Sequence, residues 1–118
     1  MDLLMADVNN DGVSDLIVSE YGYSESNMPQ MGKVHIYNGI VGDDNNVQDA
    51  THFSNDPSVV LYGSERRGRF GWNLVSLDFN LDGIPDLVVS APTGGYEILP
   101  DIPVYSNYGS VHVYFGPL

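Results

Sequence analysis

Asp7-Val-Asn-Asn-Asp-Gly-Val-Ser-Asp15-Leu-Ile-Val-Ser19 recurs 71 residues further on as Asp78-Phe-Asn-Leu-Asp-Gly-Ile-Pro-Asp86-Leu-Val-Val-Ser90. In both copies an acidic loop with Gly at its sixth position runs into Leu and branched aliphatics, which favour strand over helix. A second element recurs with it: Gly32-Lys-Val-His-Ile-Tyr-Asn-Gly39 returns 77 residues on as Gly109-Ser-Val-His-Val-Tyr-Phe-Gly116. Two elements repeated in the same order define one supersecondary unit present twice. The six-residue difference between the offsets places extra loop between Pro92 and Gly109.

Each unit reads as strand, acidic loop, strand, variable loop, strand. Leu16 to Ser19 and Leu87 to Ser90 are continuous runs, as expected of strands buried on both faces. Val34 to Tyr37 and Val111 to Tyr114 alternate branched aliphatics with His and Tyr, which suits strands whose two faces meet different neighbours. A further strand is expected at Val59 to Tyr62, bounded by Asp56-Pro57 and Gly63-Ser64. The polar stretch from Gly39 to Pro57 reads as a surface loop, with a little helix around Val47 to His52. No long stretch keeps the i, i+3, i+4, i+7 apolar spacing of an amphipathic helix, so the chain is expected to be all-β. Shifting the second copy back by 71 residues puts the counterpart of Phe70-Gly71 before Met1. The chain therefore reads as a fragment: residues 1–62 are a first unit lacking its start, and residues 63–118 a second lacking its last strand.

The chain has 118 residues, 42% hydrophobic, enough apolar material for a modest core. Sixteen acids against four bases give a formal charge of -12, which argues against a nucleic-acid backbone or an anionic membrane as partner and favours cations. Six of the acids, Asp7, Asp11, Asp15, Asp78, Asp82 and Asp86, fall in the two loops, where they repel one another unless neutralised. There is no cysteine, hence no disulfide and no thiolate metal site. No apolar run is long enough to span a membrane, and no signal peptide is visible.

Calcium takes six to eight hard oxygen ligands, and a tight loop can supply them from alternate residues. In the first loop the candidates are Asp7, Asn9, Asp11, the backbone carbonyl of Val13, and Asp15, with Gly12 permitting the turn. In the second they are Asp78, Asn80, Asp82, the carbonyl of Ile84, and Asp86, with Gly83 at the turn. Two Ca2+ ions, one per loop, would take the charge from -12 to about -8. An EF-hand is excluded because its twelfth position holds Val18 or Val89 in place of a bidentate Glu, and strand follows where helix should begin. The competing reading is a pair of Asp-Gly hairpin turns with no metal, since Asp, Asn and Gly populate turns on their own account. Identity at every candidate ligand position in both copies favours the metal.

The order Phe70-Gly71, acidic loop, Asp86-Leu-Val-Val-Ser-Ala-Pro92 and Gly109-Ser-Val-His-Val-Tyr-Phe-Gly116 resembles the FG-GAP repeat, the unit of the seven-bladed β-propeller of integrin α subunits and of glycosylphosphatidylinositol-specific phospholipases D. The resemblance covers nearly the whole chain and implies a partial β-propeller of about two blades of antiparallel strands. It departs where Ser90 stands for the Gly of Gly-Ala-Pro and where the first copy has Ser19-Glu20-Tyr21. The resemblance implies calcium in the loop between the first two strands of each blade. It also implies an extracellular setting, partners in the rest of the propeller, and a protein or glycan ligand.

Arg69-Phe-Gly-Trp72 and the Val-His-Val-Tyr-Phe-Gly-Pro ending look most like the phospholipase type, in which a separate N-terminal metal-dependent domain performs the hydrolysis. An integrin-like adhesion receptor is the alternative. No catalytic residue is assigned here: no hydroxyl has a Gly-x-Ser-x-Gly setting, and His52 lies in a polar stretch. His35 and His112 occupy equivalent positions and could suggest zinc, but repeat packing explains the equivalence without it. Arg66, Arg67 and Arg69 form the one basic cluster, read as a solvated turn pairing with nearby acids. Trp72 is expected in core or interblade packing.

Overall fold

The computed structural model describes residues 1–42, 52–93 and 109–118, together with the backbone of 97–98 and 105–106. Among the described residues every regular element is a strand, so there is no helix that could cross a membrane.

The first sheet holds β1 (Leu3–Ala6), β2 (Asp15–Glu20), β3 (Lys33–Tyr37) and β6 (Val59–Tyr62), in that order and antiparallel throughout. The second holds β7 (Leu74–Leu77), β8 (Asp86–Ala91) and β11 (Ser110–Tyr114), in the order β11-β8-β7. Two short ladders complete the set: β4 (Gly39–Ile40) with β5 (His52–Phe53), and β9 (Glu97–Ile98) with β10 (Tyr105–Ser106). The expected surface loop at Gly39 to Pro57 thus contains a hairpin ladder, continued by the Ser54 amide donating to the Asn38 carbonyl. His52 is strand, and the rest of the short helix expected at residues 47–52 lies outside the described residues.

The two sheets stack face to face. Pairing lines up Leu4, Ile17, Ile36 and Val59 across the first sheet, and Leu74, Val89 and His112 across the second. Ile17, Val34, Ile36, Leu74, Leu87 and Val89 form the buried core between them, with Leu4, Ala6 and Leu61 packed at its margin. Leu16, Val18 and Val88 are only half-buried, so the expectation of strands buried on both faces is corrected. Within these residues each sheet packs on the other through one face, and the alternation of the strand sends every second side chain away from it. Phe70 fills the gap between the sheets at 1% exposure, edge-on to His112 (5.2 Å) and Tyr114 (6.3 Å). Trp72, expected in core or interblade packing, is 41% exposed and leans on Tyr21 of the first unit (4.7 Å). The left-handed Gly71 between them (φ 95°) turns the chain so that Phe70 enters and Trp72 leaves.

Gly32 is where this packing is least forgiving. Its φ is 82°, and a Cβ there would run into the Phe70 carbonyl and come within 2.7 Å of the Phe70 nitrogen. Gly12, at φ 88°, has open space around a notional Cβ. Gly12→Ala is therefore expected to cost about 1 kcal/mol, from φ alone. Gly32→Ala, with φ and collision together, should cost about 3 kcal/mol or more. Urea unfolding of the two variants measures the difference, and equal losses would refute the close approach.

Candidate metal centre

Both acidic loops leave a first strand, β1 or β7, and re-enter the sheet at β2 or β8. They adopt one conformation. Asn10 and Leu81 both have φ 61°, and Gly12 and Gly83 have φ 88° and 86°. A leucine in the left-handed region pays a steric penalty that asparagine largely escapes, so the second loop keeps this shape against its own sequence.

The carboxylates are held by backbone amides in matching fashion. The Asp11 amide donates to Asp7 Oδ1 (3.0 Å) and the Gly12 amide to Asp7 Oδ2 (2.8 Å). In the second loop the Asp82 and Gly83 amides make the same bonds to Asp78 at 3.0 and 2.8 Å. Asp11 Oδ1 accepts from the Val13 amide and Asp82 Oδ1 from the Ile84 amide, both at 2.9 Å. The side-chain amides of Asn9 and Asn80 donate to Asp11 Oδ2 (3.1 Å) and Asp82 Oδ2 (3.2 Å). These bonds bring the first three predicted ligands of each loop into contact.

The third carboxylate of each loop is different because it is fully buried. Asp15 Oδ2 accepts from the amides of Val8 (3.0 Å) and Asn9 (3.3 Å), and Oδ1 from the amide of Gly39 (3.0 Å). Asp86 Oδ2 accepts from the Phe79 amide and Oδ1 from the Gly116 amide, both at 2.8 Å. Gly39 and Gly116 were not read from the sequence as part of the site. Their signal was there in the repeat ending on glycine in both copies. Burial pushes the Asp15 carboxyl above its usual value, the three amides pull it back, and the charge of Asp11 adds to the rise.

The donor chemistry fits a hard divalent cation: each loop offers three carboxylates, one amide oxygen and one carbonyl, with neither sulfur nor imidazole. Each carboxylate oxygen engaged by a single amide retains a further lone pair, and Asp15, whose Oδ2 accepts from two amides, keeps one on Oδ1. Among the described residues, however, no three Asp, Glu or His side chains converge as a ready-made metal-holding group. The loops pre-position the donors on amides, and ligation would require the side chains to close inward. Glu20 pairs with Lys33 (3.7 Å) and with His35 (3.5 Å) along β2 and β3, away from the loops.

The other candidates resolve into packing. His35 faces outward from the first sheet, parallel to Tyr37, while His112 faces inward from the second, 3.0 Å from Ser110 Oγ, so the first sheet separates them. Arg69 bonds Gln30 Oε1 (3.3 Å) and lies over Trp72 (5.9 Å), a neutral amide and a ring where acids were expected.

Comparison with known proteins agrees with this geometry. The FG-GAP repeat matches residues 70–114, the copy that keeps the Phe-Gly pair. Human phosphatidylinositol-glycan-specific phospholipase D is 39% identical over 112 residues, covering 94% of this chain and 12% of that protein. The enzyme of the same name from Dictyostelium discoideum is 35% identical over 98% of this chain and 12% of its own length. Chicken integrin alpha-8 is 32% identical over 90% of the chain and 10% of its own. The chain thus spans about an eighth of the phospholipases it matches. With two antiparallel sheets stacked face to face, each opened by the same acidic loop, and with these relatives, the chain belongs to the FG-GAP repeat family of β-propeller segments.

Proposed function

We propose that this segment is a calcium-braced pair of blades serving as an accessory or binding module of a larger extracellular protein of the phosphatidylinositol-glycan-specific phospholipase D type. The observation that carries the calcium reading is that the hydrogen bonds holding Asp7, Asp11 and Asp15 recur at Asp78, Asp82 and Asp86. The pattern persists although Val8 is replaced by Phe79 and Asn10 by Leu81. Generic turns would be free to drift with such changes, whereas a common ligand geometry constrains them. A second support is the acidic pole itself: the four bases, Lys33, Arg66, Arg67 and Arg69, all belong to segments away from the loops.

When bound, Ca2+ supplies the positive charge that these carboxylates otherwise lack. Asp7, Asn9, Asp11, the Val13 carbonyl and Asp15 would hold one ion, and Asp78, Asn80, Asp82, the Ile84 carbonyl and Asp86 the other. The buried Asp15 and Asp86 fix the loop to the sheet, and the more exposed pairs close from outside. Such a site braces a turn and does no chemistry. Hydrolysis would belong to another domain of the parent, and the rest of the propeller would be the immediate partner.

Thermal melting with calcium and with chelator tests the reading. At calcium roughly 100-fold above Kd, each site adds about 2.7 kcal/mol. Identical melting curves would sink it. The identity to integrin alpha-8 supports a second reading, an adhesion-receptor propeller. The neighbouring coding sequence separates the two: a hydrolase domain upstream favours the phospholipase type, and a membrane span downstream the receptor.

A further inference from the structure

We propose that the surface where Tyr21, Trp72 and Arg69 meet, at the end of the two sheets away from the acidic loops, binds a sugar that carries a phosphate. β2 leaves its acidic loop at Asp15 and ends at Glu20, while β7 starts at Leu74 and runs toward its own loop, so Tyr21 and Trp72 lie at the opposite end from both loops. Tyr21 comes from the first unit and Trp72 from the second, with ring centroids 4.7 Å apart and planes tilted by 55°. Both halves of this surface therefore belong to the chain itself. Trp72 stays open there at 41%, although a large ring gains most from burial. The Arg69 guanidinium stands beside it, Cζ 5.9 Å from the ring centroid.

Arg69 is oriented without being satisfied. Its Nε donates to Gln30 Oε1 (3.3 Å), which fixes the plane of the guanidinium, and among the described residues its terminal nitrogens have no hydrogen-bond partner. Arg66, Arg67 and Arg69 pair with no carboxylate among the described residues, where Glu20 takes Lys33 and His35. Three of the four bases of a chain of charge -12 thus fall in one four-residue stretch without an acid. A guanidinium with its terminal nitrogens open suits a phosphate, two oxygens of which it can hold at once. The backbone is strained at the same place: Gln30, Arg67 and Arg69 have φ 49°, 56° and 55°. The Arg67 amide donates to the Pro29 carbonyl (2.6 Å) and the Arg69 amide to the Gln30 carbonyl (3.0 Å). Bonds between the two loops hold this strain and so fix the arginines ahead of any ligand.

The aromatic pair decides what carries the phosphate. Every amide from Arg67 to Trp72 donates to a backbone carbonyl, so this segment has no open edge on which a peptide could add a strand. What it presents is ring faces, whose negative π clouds receive the C–H face of a sugar ring, next to a fixed cation for the anionic group. The charge of -12 opposes an extended polyanion, so the fit is to a short phosphorylated glycan rather than to a nucleic acid or an anionic membrane. This site goes beyond the calcium reading and does not rest on it, since none of its residues belongs to an acidic loop.

Titration of the full chain with mannose-6-phosphate, in chelator and followed by proton–nitrogen NMR, tests the proposal. Trp72 is the only tryptophan, so its single indole N–H resonance reports on the site. That resonance should move with a Kd of about 1 mM, while mannose, O-phosphoserine and inorganic phosphate should each bind roughly 10-fold more weakly. Arg69→Gln should weaken mannose-6-phosphate about 10-fold by removing a charged donor. Trp72→Leu, read from backbone amides, should do the same by removing the ring face. An indole resonance that stays still up to about 20 mM would overturn the site. O-phosphoserine or phosphate binding as tightly as the sugar phosphate would overturn the sugar, and mannose binding as tightly would overturn the anion. Full affinity in Arg69→Gln would likewise overturn the guanidinium's part. Should Trp72→Leu lose its dispersed amide spectrum, Tyr21→Leu repeats the comparison with the indole resonance still in place.

Discussion

Phe70→Ala should remove a large share of the stability of this chain, about 3 to 5 kcal/mol from a total of roughly 5 to 15 for an ordinary small domain. Among the described residues Phe70 is the largest of the fully buried side chains and the only one of them contributed by a segment between the sheets. Its removal leaves a cavity that the surroundings cannot collapse to fill. Its amide is tied to the Met31 carbonyl (3.2 Å), the Gly63 amide to the Gly32 carbonyl (2.9 Å), and a Cβ at Gly63 would come within 2.8 Å of Phe70 Cβ. Backbone packed this closely is held in place by its own hydrogen bonds. Urea unfolding followed by Trp72 fluorescence measures the loss. Phe70→Leu should cost distinctly less, since it keeps most of the apolar volume. A loss under about 1 kcal/mol for the alanine variant would mean that Phe70 is not the wedge between the sheets.

Asp15→Ala should cost about 2 to 3 kcal/mol in chelator, with no metal involved. The change strips the amides of Val8, Asn9 and Gly39 of their common acceptor, and Val8 and Asp15 are both fully buried. The loss is smaller than three separate hydrogen bonds would suggest, because the Val8 amide also reaches the Ala6 carbonyl (3.0 Å) and because a charge is no longer buried.

The pH dependence has a definite sign. Burial holds the Asp15 carboxyl above 3.8, so the folded chain takes up this proton before the unfolded chain does. Between 3.8 and the raised folded value, this group's contribution to stability grows as pH falls. The advantage of wild type over Asp15→Ala in chelator should therefore widen on acidification through that window. A gap that narrows would reverse the assignment. Asp11→Ala, at an exposed position, removes the bonds from the Val13 amide and the Asn9 side-chain amide, both of which can turn to water, and should cost well under half as much.

The repeated loop was legible in the sequence because its logic is local. Ligand-type residues at alternate positions, glycine at the turn and branched aliphatics after it all act within nine or thirteen residues, and each has a short-range physical meaning. The strand at Val59–Tyr62 was equally visible, as a branched run between two turn signals. The order of the parts is enough to mark the fold family.

What the sequence could not specify depends on distance along the chain. That Asp15 and Asp86 are closed over by Gly39 and Gly116 follows from loops returning 24 and 30 residues later. That Phe70 enters the core while Trp72 leaves it depends on which way Gly71 turns, a choice made by the sheets on either side. Runs that look uniformly apolar, Leu16 to Ser19 and Leu87 to Ser90, have one face buried against the other sheet and one half-buried. The sequence by itself determined the repeat, the strands and the donor set, since those rest on residue type and spacing. The tertiary structure alone decided which face of each strand is covered, because burial is a property of what packs against a surface and a strand presents two.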